Sequence, residues 1–324
     1  MGNPSRLAAA YPASVRAKIS ADVEILGPDI PGESWEAHQP ALKRAQVILS
    51  TWGMPVLTPR FLAAVPNLKA VFYAAGSVKC FATDEAYARD ILIVSARMAN
   101  AVPVAEYAAA VVVLSLKQFW AYSRAARESN SWSRTIPVAG TYRSTIGIIS
   151  LGATGRQTAE RLSHLDCNLI AYDPFVHEDS VREFGVRLAS LDDVFRLSDV
   201  ISIHTPLLPD TRNVIDKRLL RLMKPGATLI NTSRGAVVAE HDLCEVLRER
   251  PDLSAVLDVT DPEPPDARSA LFRLPNVVMT PHISGSIDSE IVRLGECMAD
   301  ELQQYLLNQP LTHRVTQELM PQLA

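Results

Sequence analysis

Residues 145–155 read Thr145-Ile146-Gly147-Ile148-Ile149-Ser150-Leu151-Gly152-Ala153-Thr154-Gly155, an apolar run that breaks into a glycine-bearing turn. A helical pattern from about Thr154 to Leu165 and a second apolar run, Leu169–Tyr172, complete a βαβ unit. The turn fits G-x-G-x-x-G at its second and third glycines and carries Ser150 at the first. Gly152 would let the backbone approach a pyrophosphate on the helix N-terminus, and Gly155 would let helix pack closely on strand. Ala153 and Thr154, at the helix start, join them as candidate cofactor contacts. Serine can replace the first glycine if its φ is negative. Asp173 ends the next apolar run, 21 positions beyond Gly152 (173 − 152), where a carboxylate bonds the ribose 2′-hydroxyl of NAD. The same charge repels a 2′-phosphate, and Pro174, Phe175 and Val176 offer no arginine to hold one, so NAD is expected rather than NADP.

Apolar runs repeat along the chain. Gln46–Ser50, Leu68–Tyr73 and Ile91–Ser95 read as buried strands before this unit; Val200–His204, Thr228–Thr232, Ala255–Val259 and Val277–Thr280 read so after it. Thr58 before Pro59 suits a helix N-cap, with the helix stopping near Pro66. No convincing strand precedes Val23, because Leu7–Tyr11 is mostly alanine between Pro4 and Pro12. Ile291, Leu294, Met298, Leu302 and Leu306 have helical spacing and could carry the chain back to the first domain.

The chain of 324 residues exceeds what one core usually supports, so two domains, or one large α/β domain, are expected from length. A net charge of −4 leaves no basic surplus for nucleic acid. Cys80, Cys167, Cys244 and Cys297 form no CxxC pair, which fits a reducing, cytoplasmic setting; no metal site is expected. Residues 1–20 lack the apolar core of a signal peptide. The stretch Ala101–Leu116 contains Glu106 and is 16 residues long (116 − 101 + 1), so it reads as a buried helix and no membrane partner is expected.

Three segments each leave a strand-like run with a reactive residue: Asn231-Thr232-Ser233-Arg234-Gly235, Asp258-Val259-Thr260-Asp261-Pro262-Glu263-Pro264, and Thr280-Pro281-His282. Ligands of an open α/β sheet bind beyond the carboxyl ends of its strands, so an Arg, a Glu and a His would converge. Taken singly, each has a plain alternative: strand-end carbonyl bonds for Arg234, a solvated acid for Glu263, a satisfied loop histidine for His282.

Together these motifs resemble the D-isomer-specific 2-hydroxyacid dehydrogenase family, over about Val71–Gly285. Asn231–Val238, Asp258-Val259 with Glu263-Pro264, Thr280–Gly285, and His204-Thr205-Pro206 with Thr211-Arg212 carry the resemblance, in order. It implies that Arg234 holds the substrate carboxylate and keto oxygen, that His282 exchanges a proton with the carbonyl oxygen, and that Glu263 fixes the histidine tautomer. It places His204, Thr205, Pro206, Thr211, Thr232, Ser233, Asp258 and Gly285 around the cofactor. It also implies that Ala75-Gly76-Ser77 receives the substrate carboxylate on backbone N–H groups, although Gly76-Ser77-Val78-Lys79 stands where the family has Gly-Val-Asp and adds a possible cation. Trp52 could wall the substrate pocket or pack as an ordinary core tryptophan. Asn100 with Val104-Ala105-Glu106 resembles the family's crossover between domains.

The expected fold is α/β: a Rossmann-type doubly wound NAD domain (residues 101–287) inserted in a flavodoxin-like substrate domain (residues 1–100 plus 288–324). The expected function is NAD-dependent hydride transfer to or from C2 of a small 2-hydroxy or 2-keto acid. A helix over Pro103–Arg127, apolar on more than one face, would pack against a second subunit, and the resemblance implies a homodimer. The alternative is an NAD(H)-sensing, corepressor-like binding protein with little turnover.

Overall fold

The computed structural model describes residues 1–129, 132 and 134–323. The chain divides into two compact units, Met1–Ala101 with Ser286–Ala324, and Val102–Gly285.

The first unit holds α1 (Pro4–Ala10), α2 (Ala13–Ser20), α3 (Gln39–Arg44), β1 (Val47–Ser50), α4 (Pro59–Ala64), β2 (Ala70–Tyr73), α5 (Asp84–Ala88) and β3 (Leu92–Ser95). Its strands pair in parallel in the order β1-β2-β3. β2 is buried at every position, which is why it reads as an unbroken apolar run. The Thr58 hydroxyl caps α4 by accepting from the Phe61 N–H, with Pro59 in the first turn. Among the described residues no strand precedes β1, so this flavodoxin-like sheet is short; residues 313–315 lie antiparallel on its other edge, through Ser95 N–H to His313 O and Val315 N–H to Ile93 O.

α6 (Arg97–Leu116) leads into the second unit and α7 (Phe119–Ser129) follows. The single helix expected over Pro103–Arg127 is therefore two. Gln118 takes a left-handed φ of 53° and breaks it, while the first turn forms ahead of Pro103, with the Asn100 N–H donating to Ala96 O. At 20 residues α6 is long and apolar enough to cross a membrane, so the length argument against a span does not hold. Half of its most apolar stretch is buried in the protein, and Tyr107, Val111, Val112 and Leu116 pack into the core of the second unit.

That unit continues with β4 (Thr145–Ile149), α8 (Ala153–Leu162), β5 (Asn168–Tyr172), β6 (Val186–Leu188), α9 (Leu191–Leu197), β7 (Val200–Ile203) and α10 (Lys217–Arg221). β8 (Thr228–Asn231), α11 (Glu240–Glu249), β9 (Ser254–Leu257) and β10 (Val277–Met279) complete it, and α12 (Ile291–Leu306) returns to the first unit, packing on α1, β2 and β3. All seven strands are parallel, in the order β10-β9-β8-β7-β4-β5-β6. This is the doubly wound Rossmann arrangement, and its order reverses between β4 and β7. The turns leaving those two strands hold Ser150–Gly155 and His204–Pro206.

Candidate active site

At the reversal point Ser150 adopts φ 73°, not the negative value expected of a serine there. The turn requires the left-handed conformation that glycine adopts freely and serine adopts at a cost of about 1–2 kcal/mol. Its hydroxyl lies 3.1 Å from Thr205 Oγ1, and its N–H donates to Tyr172 O at 2.8 Å, which tie the strained residue to β5 and to the β7 turn. Gly155 is obligatory, since a Cβ there would stand 2.0 Å from the Ser150 carbonyl oxygen. Gly152 caps α8 without a side-chain bond, and a Cβ on it would meet nothing within 4 Å. Open space thus faces the first N–H groups of a helix with no acid in its first turn, a setting that suits an anion.

Asp173 reaches back to this turn, its Oδ2 accepting from Leu151 N–H at 2.7 Å and its Oδ1 from Phe175 N–H at 2.9 Å. Each oxygen keeps a further lone pair for a hydroxyl. Two buried polar atoms just beyond the ends of β7 and β8 have no hydrogen-bond partner among the described residues: His204 Nδ1 and Thr232 Oγ1. Burial lowers the His204 pKa to about 4, so its ring is neutral at pH 7, with Nε2 3.0 Å from Ser202 Oγ. Orphaned polar atoms at these strand ends fit a bound dinucleotide. The Thr211 hydroxyl donates to Pro206 O at 2.6 Å and accepts from Leu208 N–H, bracing its own loop.

Arg234, Glu263 and His282 all lie in the second unit. The Asn231 side chain accepts from the Ser233 N–H and hydroxyl and donates to Arg234 O at 3.0 Å, shaping the turn after β8. A Cβ on Gly235 would stand 2.0 Å from the Thr260 carbonyl carbon, so the turns after β8 and β9 touch through this glycine. The Arg234 guanidinium donates to Ser233 O at 2.7 Å, and no carboxylate among the described residues lies within salt-bridge distance of it. Burial lowers its pKa, and the charge of Glu263 acts in the opposite direction.

His282 Nδ1 lies 2.6 Å from Glu263 Oε1, which leaves Nε2 for a substrate oxygen. The histidine is 47% exposed in its side chain and takes φ 53°, a conformation that needs support. Asp258 supplies it. Only 1% exposed, its carboxylate accepts from the Thr280 hydroxyl at 2.6 Å and from the Ile283 and Ser284 N–H groups at 2.8 Å each, while its carbonyl accepts from the His282 N–H. Tyr107 on α6 extends this network, with its hydroxyl 3.0 Å from Thr280 Oγ1. Asp258, expected beside the cofactor, also holds the histidine loop through three of its acceptor positions. The bracing roles of Asp258 and Tyr107 have no local sequence signal, because their partners lie 22 to 173 positions away.

In the first unit, the Ser95 hydroxyl lies 3.0 Å from Ala75 O and 2.5 Å from Gly76 O, and so shapes the loop after β2. The Ala75 N–H already donates to Tyr73 O, so it is not free for a carboxylate. Lys79 turns its ammonium to Leu323 O. Trp52 packs partly buried between two cores, and the Arg6 guanidinium stands 5.6 Å from its ring centroid.

Comparison with known proteins agrees with this geometry. Residues 109–284, about half of the chain, match a sequence model described as the D-isomer specific 2-hydroxyacid dehydrogenase NAD binding domain. D-3-phosphoglycerate dehydrogenase of Mycobacterium bovis is 35% identical over 244 residues, covering 75% of this chain and 46% of that protein. The Archaeoglobus fulgidus protein of the same name is 32% identical over 255 residues, 78% of this chain and 48% of its own. The chain therefore spans about half the length of these curated relatives. Among solved structures, the NAD-complexed D-isomer specific 2-hydroxyacid dehydrogenase of Lactobacillus delbrueckii ssp. bulgaricus superposes with TM-score 0.78 at 21% identity, over 94% of this chain and 97% of that one, a likeness of fold. NAD-dependent formate dehydrogenase from Staphylococcus aureus gives TM-score 0.64 at 27% identity, over 87% and 85%. With its doubly wound sheet, the glycine turn at its reversal point and a family match across most of the second unit, the chain belongs to the D-isomer specific 2-hydroxyacid dehydrogenases.

Proposed function

We propose that this protein reduces a small 2-keto acid to a 2-hydroxy acid, or runs the reverse reaction, with NAD as the redox partner. The observation that carries the reading is the 2.6 Å pair between His282 Nδ1 and Glu263, in the unit that also holds a desolvated Arg234 without a carboxylate partner among the described residues. NADH, when bound, supplies the hydride. Arg234 grips the substrate carboxylate and keto oxygen with its planar fork, orienting C2 and drawing charge from the carbonyl. As C2 accepts the hydride, His282 Nε2 delivers a proton to the carbonyl oxygen; in oxidation it removes the hydroxyl proton. Glu263 holds Nδ1 protonated and the ring oriented, as a carboxylate does for a general acid/base histidine.

Gly152, Ala153, Thr154 and Gly155 take the pyrophosphate, and Asp173 takes the ribose hydroxyls and disfavours a 2′-phosphate. His204, Thr205, Pro206, Thr232, Ser233 and Gly285 border the cofactor in this reading, and Gly76 and Ser77, with Trp52, border the substrate. The orphaned His204 and Thr232 atoms support it. The reading includes a cytoplasmic homodimer, supported by four free thiols and by the exposed apolar Phe119 on α7.

The test is loss of NADH absorbance with glyoxylate, hydroxypyruvate, pyruvate, phenylpyruvate and 2-ketoisocaproate, with NADPH in parallel. Oxidation of NADH in preference to NADPH is expected. Binding of NADH with no turnover across the panel would favour a sensor instead.

A further inference from the structure

Arg97 is a cation with no counter-ion among the described residues. It lies one residue beyond β3, after Ala96, at the carboxyl end of a parallel sheet, where ligands of such sheets bind, and it opens α6. Its N–H donates to the Ser95 hydroxyl at 3.2 Å, the same hydroxyl that lies 2.5 Å from Gly76 O. Asn100, three residues on and so a neighbour on the helix surface, has its Nδ2 3.4 Å from where a Gly76 Cβ would stand. The face of α6 that carries Arg97 and Asn100 therefore abuts the Gly76 loop.

The guanidinium itself is poorly served. Its Nε is buried with no hydrogen-bond partner among the described residues, and Nη1 meets the weakly accepting Met98 sulfur at 3.6 Å. No Asp or Glu among the described residues makes an ion pair with it, and burial lowers its pKa with no charge acting against that. It also stands at the positive end of a 20-residue helix whose first turn holds no acid. Desolvation, an orphaned donor and dipole repulsion all disfavour this side chain in the free protein, and one bound anion relieves all three.

We infer that Arg97 selects 2-keto acids bearing a second oxyanion group, a carboxylate or a phosphate, at the end remote from C1. The inference rests on the proposed reduction and on the Gly76 loop receiving the C1 carboxylate. Arg97 is then a specificity residue that binds the substrate's far end, distinct in role from Arg234.

The test pairs substrates that differ in that group: 2-ketobutyrate with 2-ketoglutarate, and hydroxypyruvate with its 3-phosphate. Wild type should show the higher kcat/KM on the dianionic member of at least one pair, and which pair responds separates carboxylate from phosphate. Arg97→Leu should lower kcat/KM on that member about 10- to 100-fold, as loss of a charge-assisted pair does, and change the monoanionic one less than about 3-fold. Arg97→Lys should restore part of the preference. Equal losses on both members, or no loss, would overturn the assignment. Calorimetric binding of both substrate pairs to wild type and Arg97→Leu separates the two readings. Arg97-dependent preference without turnover would refute the reduction and keep the inference. Turnover without such preference would do the reverse, and neither binding nor turnover would refute both.

Discussion

Replacing Asp258 by Asn removes one charge and one acceptor from the centre of the histidine loop while keeping the side-chain shape. The carboxylate accepts three hydrogen bonds, from Thr280 Oγ1, Ile283 N–H and Ser284 N–H. If the Asn oxygen takes the place of Oδ1, the first two persist as neutral bonds, each weakened by about 1 kcal/mol. The amide NH2 then confronts the Ser284 N–H, donor against donor, leaving a buried donor unsatisfied at about 1–3 kcal/mol. The sum is about 3–5 kcal/mol, enough to loosen the left-handed turn at His282. Urea denaturation should report that loss, and amide exchange should quicken selectively at Ile283 and Ser284. Unchanged stability together with unchanged protection at those two amides would refute the bracing role.

Three further outcomes follow from the same geometry. Ser150→Gly and Ser150→Ala both lose the hydroxyl, but only glycine fits φ 73° freely, so the glycine variant should be the more stable by about 1 kcal/mol in thermal or urea melts; the opposite order would contradict the left-handed turn. His204 is neutral in the fold down to pH about 4 but takes up a proton from about pH 6.5 when unfolded, so its contribution is whole above pH 6.5 and lost as pH falls towards 4. That window is worth at most about 3 kcal/mol, and His204→Gln should flatten the stability–pH curve across it; an unaltered slope would show that other groups cause it. His282→Gln should leave NADH affinity unchanged and lower keto-acid turnover by roughly 10²–10⁴, measured by fluorescence titration and steady-state kinetics; intact turnover would remove His282 from its role.

The strands were legible where burial on both faces makes continuous apolar runs, as in β2, β4, β7 and β8. β6 was not: it is three residues long, lies at the sheet edge and carries the exposed Arg187. Arg234, Glu263 and His282 could be picked out because each follows a strand end within a recognisable motif, and the structure adds that Glu263 and His282 are in direct contact. What the sequence hid were conformations and long-range partners. A left-handed φ at Ser150, the bracing of His282 by Asp258 and the isolation of Arg97 arise from packing between segments far apart in the chain. The start of α6 was hidden for a different reason, since Pro103 looks like a first helical residue and lies inside the helix.

The most direct measurement of the central claim uses NADH deuterated at the transferable C4 position with a 2-keto acid that supports NADH oxidation. Mass spectrometry and NMR should find one deuterium on C2 of the 2-hydroxy acid and none on its oxygen after exchange into water. Product lacking C2 deuterium, or bound NADH that never loses its label to any 2-keto acid, would contradict hydride transfer as the work of this site.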